Sequence, residues 1–165
     1  MTLYPWMVWL HIFSAILYFS CHGVSMVAAF KLREETNLER LKVLLGLHAV
    51  ILPPMGIATL LLLVTVLTMA AILNLWGKGW WLTANLVFIL MTFWMTWYGR
   101  KYYSPIRKAL GMEYMTGFSK HNPAEAPAGM DEIQELIAKP SPHLLITVGV
   151  VAIGVLLWLM RFKPF

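Results

Sequence analysis

The stretch Val43–Leu73, VLLGLHAVILPPMGIATLLLLVTVLTMAAIL, decides the fold class. It contains no charged side chain, and it exceeds the about 20 apolar residues that an α-helix needs to cross a bilayer. Lipid offers the backbone no hydrogen-bond partner, so such a segment must be helical. We therefore predict a transmembrane helix here, with a kink at Pro53–Pro54.

Working outward from this segment, three further apolar runs reach membrane length. The whole chain is 59% hydrophobic and 13% charged, against about 25% charged in a typical soluble domain. We predict an all-α integral membrane four-helix bundle that forms a single transmembrane domain over residues 1–165. The predicted spans are 5–30, 43–73, 80–98 and 142–160, and a long loop covers 99–141.

The basic residues predict the orientation. Ten of the 13 Lys and Arg residues lie in the first and third connections, and only Lys78, Arg161 and Lys163 lie on the other side. Because cytoplasmic loops are rich in Lys and Arg, we predict that both termini face outward and that 99–141 is cytoplasmic. We also predict a multi-pass protein of the bacterial inner membrane, with the lipid bilayer as a partner and no role for nucleic acid.

Two parts of the long loop have their own patterns. The segment 131–138 places Ile133, Leu136 and Ile137 on one helical face, and acidic residues at its start favour a helix. We predict a short interfacial helix that ends before Pro140. The segment 121–129 is predicted to be a linker.

Histidines are the main candidate site residues inside the membrane. The centres of the four spans contain no Asp, Glu, Lys or Arg, which argues against a proton pump or an ion-coupled transporter. His11 and His22 share one face of the first span, and His48 on the second lies at a depth similar to that of His22. Such histidines could hold a b-type haem or another tetrapyrrole. The alternative is that each imidazole only hydrogen-bonds across a helix interface.

Sulfur-containing residues offer a second interpretation. Met7 lies one turn from His11, and Met91 lies one turn from Met95, a combination of thioether and imidazole that suits Cu(I). Methionine is also ordinary apolar content in membrane helices, and that interpretation is the stronger one. The single cysteine, Cys21, lies in an apolar run and is interpreted as a packing residue.

Several short motifs carry a family resemblance. The start Trp9–Ala15 resembles the start of the first span in several bacterial four-span families. The entry to the second span at Leu38–Leu41, the break at Leu52-Pro53-Pro54 and the ending Leu159–Pro164 resemble an uncharacterised bacterial family of predicted four-span integral membrane proteins. The first span also resembles membrane-bound protoporphyrinogen oxidases, which implies a haem ligand at His11, and copper-resistance membrane proteins. The oxidases carry a lysine in the third span where this chain has Asn85, so the resemblance does not extend to their activity.

These observations predict a non-catalytic accessory subunit of a membrane redox or energy-converting complex, associated with other membrane subunits. The candidate cofactor-binding residues are His11, His22, His48 and Asn85. We further expect His11 and Asn85 to line one pocket between the first and third spans. A structural or assembly protein without a cofactor, and a copper or small-molecule transporter, remain the alternatives.

Overall fold

The computed structural model describes residues 3–117 and 120–164, most of which are helical. The helices and strands, in chain order, are α1 Leu3–Glu34, α2 Leu38–Leu73, α3 Gly79–Ala109, β1 Tyr114–Thr116, β2 Lys120–Asn122, α4 Met130–Ala138 and α5 Pro142–Phe162. Four of the helical segments, those containing α1, α2, α3 and α5, are long and apolar enough to cross a membrane. The predicted set of four membrane-length helices is therefore confirmed.

The long helices extend beyond the apolar runs because polar residues cap and continue them. α2 begins at Leu38, where the Asn37 side chain accepts hydrogen bonds from the backbone N–H groups of Glu39 and Arg40 at 3.0 and 3.1 Å. It ends at Asn74, whose left-handed backbone conformation closes the last turn. α2 also continues through Pro53 and Pro54.

The four long helices meet in a shared core. α1 packs along α2, α3 packs against α5, and α1 also contacts α5. Tyr18, Ala58, Met91 and Ala152, one residue from each long helix, are buried in a single cluster. This arrangement fits a helix bundle.

A second and larger core closes one end of the bundle, which we call the capped end. The capped end comprises the α1–α2 turn at residues 35–37, the β1–β2 hairpin and α4. Ile133 and Ile137 of α4 are buried against the ends of α1, α2 and α3, in a cluster that includes Leu32, Leu41 and Ile106. The predicted helix is thus present, but its apolar residues pack against the protein itself, and a location at the membrane surface stays a prediction.

The hairpin in the long loop was not predicted. β1 and β2 pair antiparallel, with Met115 opposite His121, so the segment interpreted as a linker begins inside a strand. The Ser104 hydroxyl of α3 donates to the backbone carbonyl of Met115 and accepts from its N–H, which fixes the hairpin to α3.

Candidate functional site

His11 lies against α2, near the end of the bundle opposite the capped end. Its Nδ1 is 3.0 Å from the Oγ1 of Thr65, a fully buried residue. The Thr65 hydroxyl points at the carbonyls of Leu61 and Leu62, at 2.8 and 3.0 Å. Since the single hydroxyl hydrogen serves these carbonyls, Oγ1 accepts the Nδ1–H of His11. In a neutral imidazole of this tautomer, Nε2 carries no proton and has a free lone pair.

This chain of hydrogen bonds is similar to the arrangement that orients a ligating histidine, with a threonine hydroxyl in place of the usual carboxylate, backbone carbonyl or water. A histidine that binds a metal through one ring nitrogen usually donates its other N–H to an oxygen, which fixes the tautomer and the ring orientation. Thr65 supplies that oxygen here. His11 is partly exposed at the surface of the bundle, so its Nε2 is not sealed inside the core.

His48 lies in the half of the bundle next to the capped end, where α1, α2 and α3 meet. Its Nδ1 is 3.2 Å from the Ser25 hydroxyl of α1. Its ring stacks on Tyr103 of α3, with the ring centroids 5.6 Å apart. His48 is therefore held by both a hydrogen bond and a ring contact.

His22 faces a different neighbour. Its ring lies nearly parallel to that of Tyr18, and its Nε2 is buried without a hydrogen-bond partner among residues 3–117 and 120–164. This nitrogen packs against Gly149 of α5, where a Cβ would come within 3.0 Å of it.

His11 contacts α2 and His22 contacts α5, although the two histidines lie on similar faces of α1. One prediction needs correction. The predicted pocket shared by His11 and Asn85 is wrong. The Asn85 side chain instead donates to the carbonyl of Trp81, one turn earlier in its own helix, at 2.7 Å.

Asn85 does line a cavity, but that cavity lies between α2, α3 and α5. Its volume is about 60 Å³, and His11 is not among the lining residues. Those are Leu62, Leu63, Val66, Trp80, Trp81, Ala84, Asn85, Phe88, Leu156 and Met160. α1 reaches α3 deeper in the bundle, where the rings of Tyr18 and Phe88 lie 5.7 Å apart.

Sequence reasoning missed Thr65 and Trp81. Thr65 is a single hydroxyl in a run of Leu and Val, but it lies as far from the end of α2 at Leu73 as His11 lies from the start of α1 at Leu3. Counting depth in antiparallel helices could have paired the two. The indole N–H of Trp81 is buried and has no hydrogen-bond partner within the described parts of the chain, which its place in an apolar run does not reveal.

No group of three or more His, Cys, Asp or Glu residues that could hold a metal ion occurs within residues 3–117 and 120–164. Cys21 is buried and forms no disulfide. Comparison with protein-family models, with curated proteins and with solved structures found no match.

Proposed function

We propose that this protein is a non-catalytic accessory subunit of a membrane redox or energy-converting complex in the bacterial inner membrane, and that it holds a tetrapyrrole through His11. The observation that carries the proposal is the hydrogen-bond chain from His11 Nδ1 through Thr65 to the α2 backbone. This hydrogen-bond chain leaves Nε2 unprotonated, with a lone pair that can bind the metal ion of a tetrapyrrole. The other candidate ligands, His22 and His48, rank behind His11 because neither has an equally determined tautomer.

The position of His11 also supports an accessory role. A tetrapyrrole is far larger than the 60 Å³ cavity, and His11 does not line that cavity. The partly exposed imidazole would instead hold the macrocycle at the surface of the bundle, where a neighbouring subunit could cover it. When bound, the tetrapyrrole would supply electron-transfer or light-absorbing chemistry, and this chain would supply the ligand and its orientation.

An absorption spectrum of the protein purified from its native membrane in mild detergent tests the proposal. We expect a tetrapyrrole band that His11→Ala abolishes. Thr65→Val keeps a side chain of similar size but removes the acceptor of the Nδ1–H, so it should weaken retention of the group by about tenfold, within the range known for such supporting residues.

His143→Ala is the matched control, because His143 is an exposed histidine that contacts Phe30 at the other end of the bundle. Its spectrum should equal that of the wild type. A wild-type protein without any tetrapyrrole band, or a band that survives His11→Ala, would overturn the proposal. Co-purification of other subunits without a chromophore would favour the structural or assembly function, and stoichiometric copper would favour the transporter.

A further inference from the structure

An open groove of about 470 Å³ lies beside the α1–α2 turn, where charged residues meet the apolar parts of both helices. Its lining residues are Lys31, Glu34, Glu35, Arg40, Val43 and Leu44. Sites for small organic molecules have volumes of about 300–1,000 Å³. The groove therefore has room for a polar group such as a lipid headgroup.

The groove carries two cationic and two anionic side chains, so it has no net charge. Lys31 and Glu34 pair at 2.9 Å, and Arg40 and Glu35 lie 3.8 Å apart. The side chains of Lys31, Glu34 and Arg40 are 65%, 69% and 76% exposed. Ion pairs this exposed contribute little to stability, so a ligand can replace them at small cost. A ligand with one anionic and one cationic group matches this set of charges.

The guanidinium of Arg40 is the best placed group for the anionic part of such a ligand. Its carboxylate neighbour, Glu35, is held by the turn, where it accepts the backbone N–H groups of Thr36 and Asn37 at 3.0 and 2.9 Å. The separation of 3.8 Å between Arg40 and Glu35 is longer than a hydrogen bond. Arg40 thus keeps its N–H groups for a phosphate, which a guanidinium can bind through two parallel hydrogen bonds.

Exposed apolar side chains lead away from the groove along both helices. On α1, Val27 lies one turn before Lys31 on the same face and is 63% exposed. On α2, Val43 is followed on the same face by Leu47 and Val50, and all three are exposed. These side chains form an apolar surface that begins where the charged groups of the groove end.

The groove also lies at the depth of the lipid headgroups. Lys31 is the first residue after the predicted span 5–30, and Val43 is the first residue of the predicted span 43–73. Headgroups occupy about 5–8 Å outside the hydrocarbon core on each side of a bilayer. Glu34 is three residues beyond Lys31, which is about 4.5 Å along the helix axis. The charged groups of the groove are therefore expected among headgroups, and the apolar surface beside acyl chains.

We propose that this groove binds phosphatidylethanolamine, with Lys31 and Arg40 at its phosphate, Glu34 at its ammonium group and its acyl chains along the exposed apolar surface. Phosphatidylglycerol lacks the cationic group and would leave the two carboxylates facing an anion. The choline of phosphatidylcholine has no N–H group to donate to a carboxylate. None of the histidines lines the groove, so the site is independent of any tetrapyrrole at His11.

The test is a titration of the delipidated protein in detergent with each of these three lipids, followed by the thermal unfolding midpoint. A ligand that binds only the folded state raises that midpoint. We expect phosphatidylethanolamine to give the largest rise for the wild type. Arg40→Gln removes the guanidinium and should weaken binding of this lipid by about three- to tenfold, as expected for the loss of one hydrogen-bonding contact.

Glu34→Gln tests the ammonium contact separately. This change gives the groove a net positive charge, so the preference for phosphatidylethanolamine over phosphatidylglycerol should fall or reverse. Glu39→Gln is the matched control, because Glu39 forms the same kind of ion pair with Lys42 at 3.0 Å but does not line the groove. It should keep the preference of the wild type.

Four results would overturn the proposal. Phosphatidylethanolamine could give no rise, or phosphatidylglycerol could raise the wild-type midpoint as much. Arg40→Gln could bind the lipid as tightly as the wild type, or Glu34→Gln could keep the wild-type preference. Phosphoethanolamine without acyl chains is the last control, and a rise equal to that of the lipid would overturn the assignment to a membrane lipid.

Discussion

Gly149 of α5 lies directly against the Met26 and His22 side chains of α1. A Cβ at this position would lie 2.8 Å from the Met26 methyl carbon and 3.0 Å from His22 Nε2. Both distances are shorter than ordinary van der Waals contact, so a larger residue requires the flexible end of Met26 and the His22 ring to shift. The hydrogen of glycine is what allows His22 to lie in the helix interface.

Gly149→Ala should therefore destabilise the protein by about 1–3 kcal/mol, the usual cost of overpacking. Gly154→Ala on the same helix is the control, because a Cβ there meets nothing within 4 Å. Helix propensity alone should make that change neutral or slightly stabilising. Unfolding in detergent micelles measures both, and equal midpoints for the two variants would contradict the described contact.

Glu125 and Tyr114 are linked across the loop at the capped end. The Tyr114 hydroxyl donates to the Glu125 carboxylate at 2.6 Å. This hydrogen bond, with a smaller contribution from Lys108, lowers the pKa of Glu125 below its usual value. The same bond raises the pKa of Tyr114.

The lowered pKa sets the direction of the pH dependence. The carboxylate contact supports the loop at pH values above the ordinary Glu pKa, and this support is lost as the pH falls through the lower pKa of the folded state. We expect Tyr114→Phe to raise the pKa of Glu125 toward its ordinary value. An NMR titration of the Glu125 side-chain carboxyl carbon checks this, and an unchanged Glu125 pKa in the variant would contradict the described hydrogen bond.

At the scale of elements, α4 holds the capped end together. Gln134 donates to the Glu35 carbonyl at 3.0 Å, and Arg33 donates to the Ala138 carbonyl at 3.1 Å. Ile133, the residue before Gln134, is fully buried in the core. α4 thus joins the α1–α2 turn to the end of α3.

Ile133→Ala should cost about 2–4 kcal/mol of stability, the range for deleting a well-packed Ile in a core. Glu132→Ala, its exposed neighbour in the same helix, should change stability by less than about 0.5 kcal/mol. Protease sensitivity of the long loop provides a second readout. If the two variants unfold alike, α4 is not packed as described.

The elements differ in how well the sequence predicts them. The spans and α4 follow from hydrophobic length and from the spacing of Ile133, Leu136 and Ile137, which local physics determines. The hairpin was missed because its strands are three residues long, and its turn depends on Gly117, whose positive φ no apolar pattern reveals. The His11 partner was misassigned because the sequence gives depth within a span but not which helices are neighbours.

At the scale of the whole molecule, orientation in the membrane stays a prediction with a direct test. Lys31, Lys42 and Lys139 each pair with a glutamate at the capped end. These pairs do not weaken the argument, because the positive-inside rule counts Lys and Arg and is not a rule about net charge. The capped end is therefore expected in the cytoplasm.

Cysteines introduced at each end of the bundle test the orientation, in a Cys21→Ser background. Thr36→Cys lies in the α1–α2 turn and Gly77→Cys in the exposed α2–α3 turn. A membrane-impermeant maleimide should label Gly77→Cys in intact cells and Thr36→Cys only after permeabilisation. The reverse labelling pattern would show that the capped end faces outward and that the predicted orientation is wrong.

The pairing of α1 with α2 and of α3 with α5 also sets the order in which the helices can pack while the chain is being synthesised. α1 and α2 are joined by residues 35–37 alone, so the translocon can receive them as one hairpin. α3 has to wait for α5 until the entire loop from Leu110 to Ser141 has been made, which takes about 2–6 s at roughly 5–20 residues per second. During that interval the wall of the cavity beside Asn85 lacks the two residues that α5 contributes to it, Leu156 and Met160.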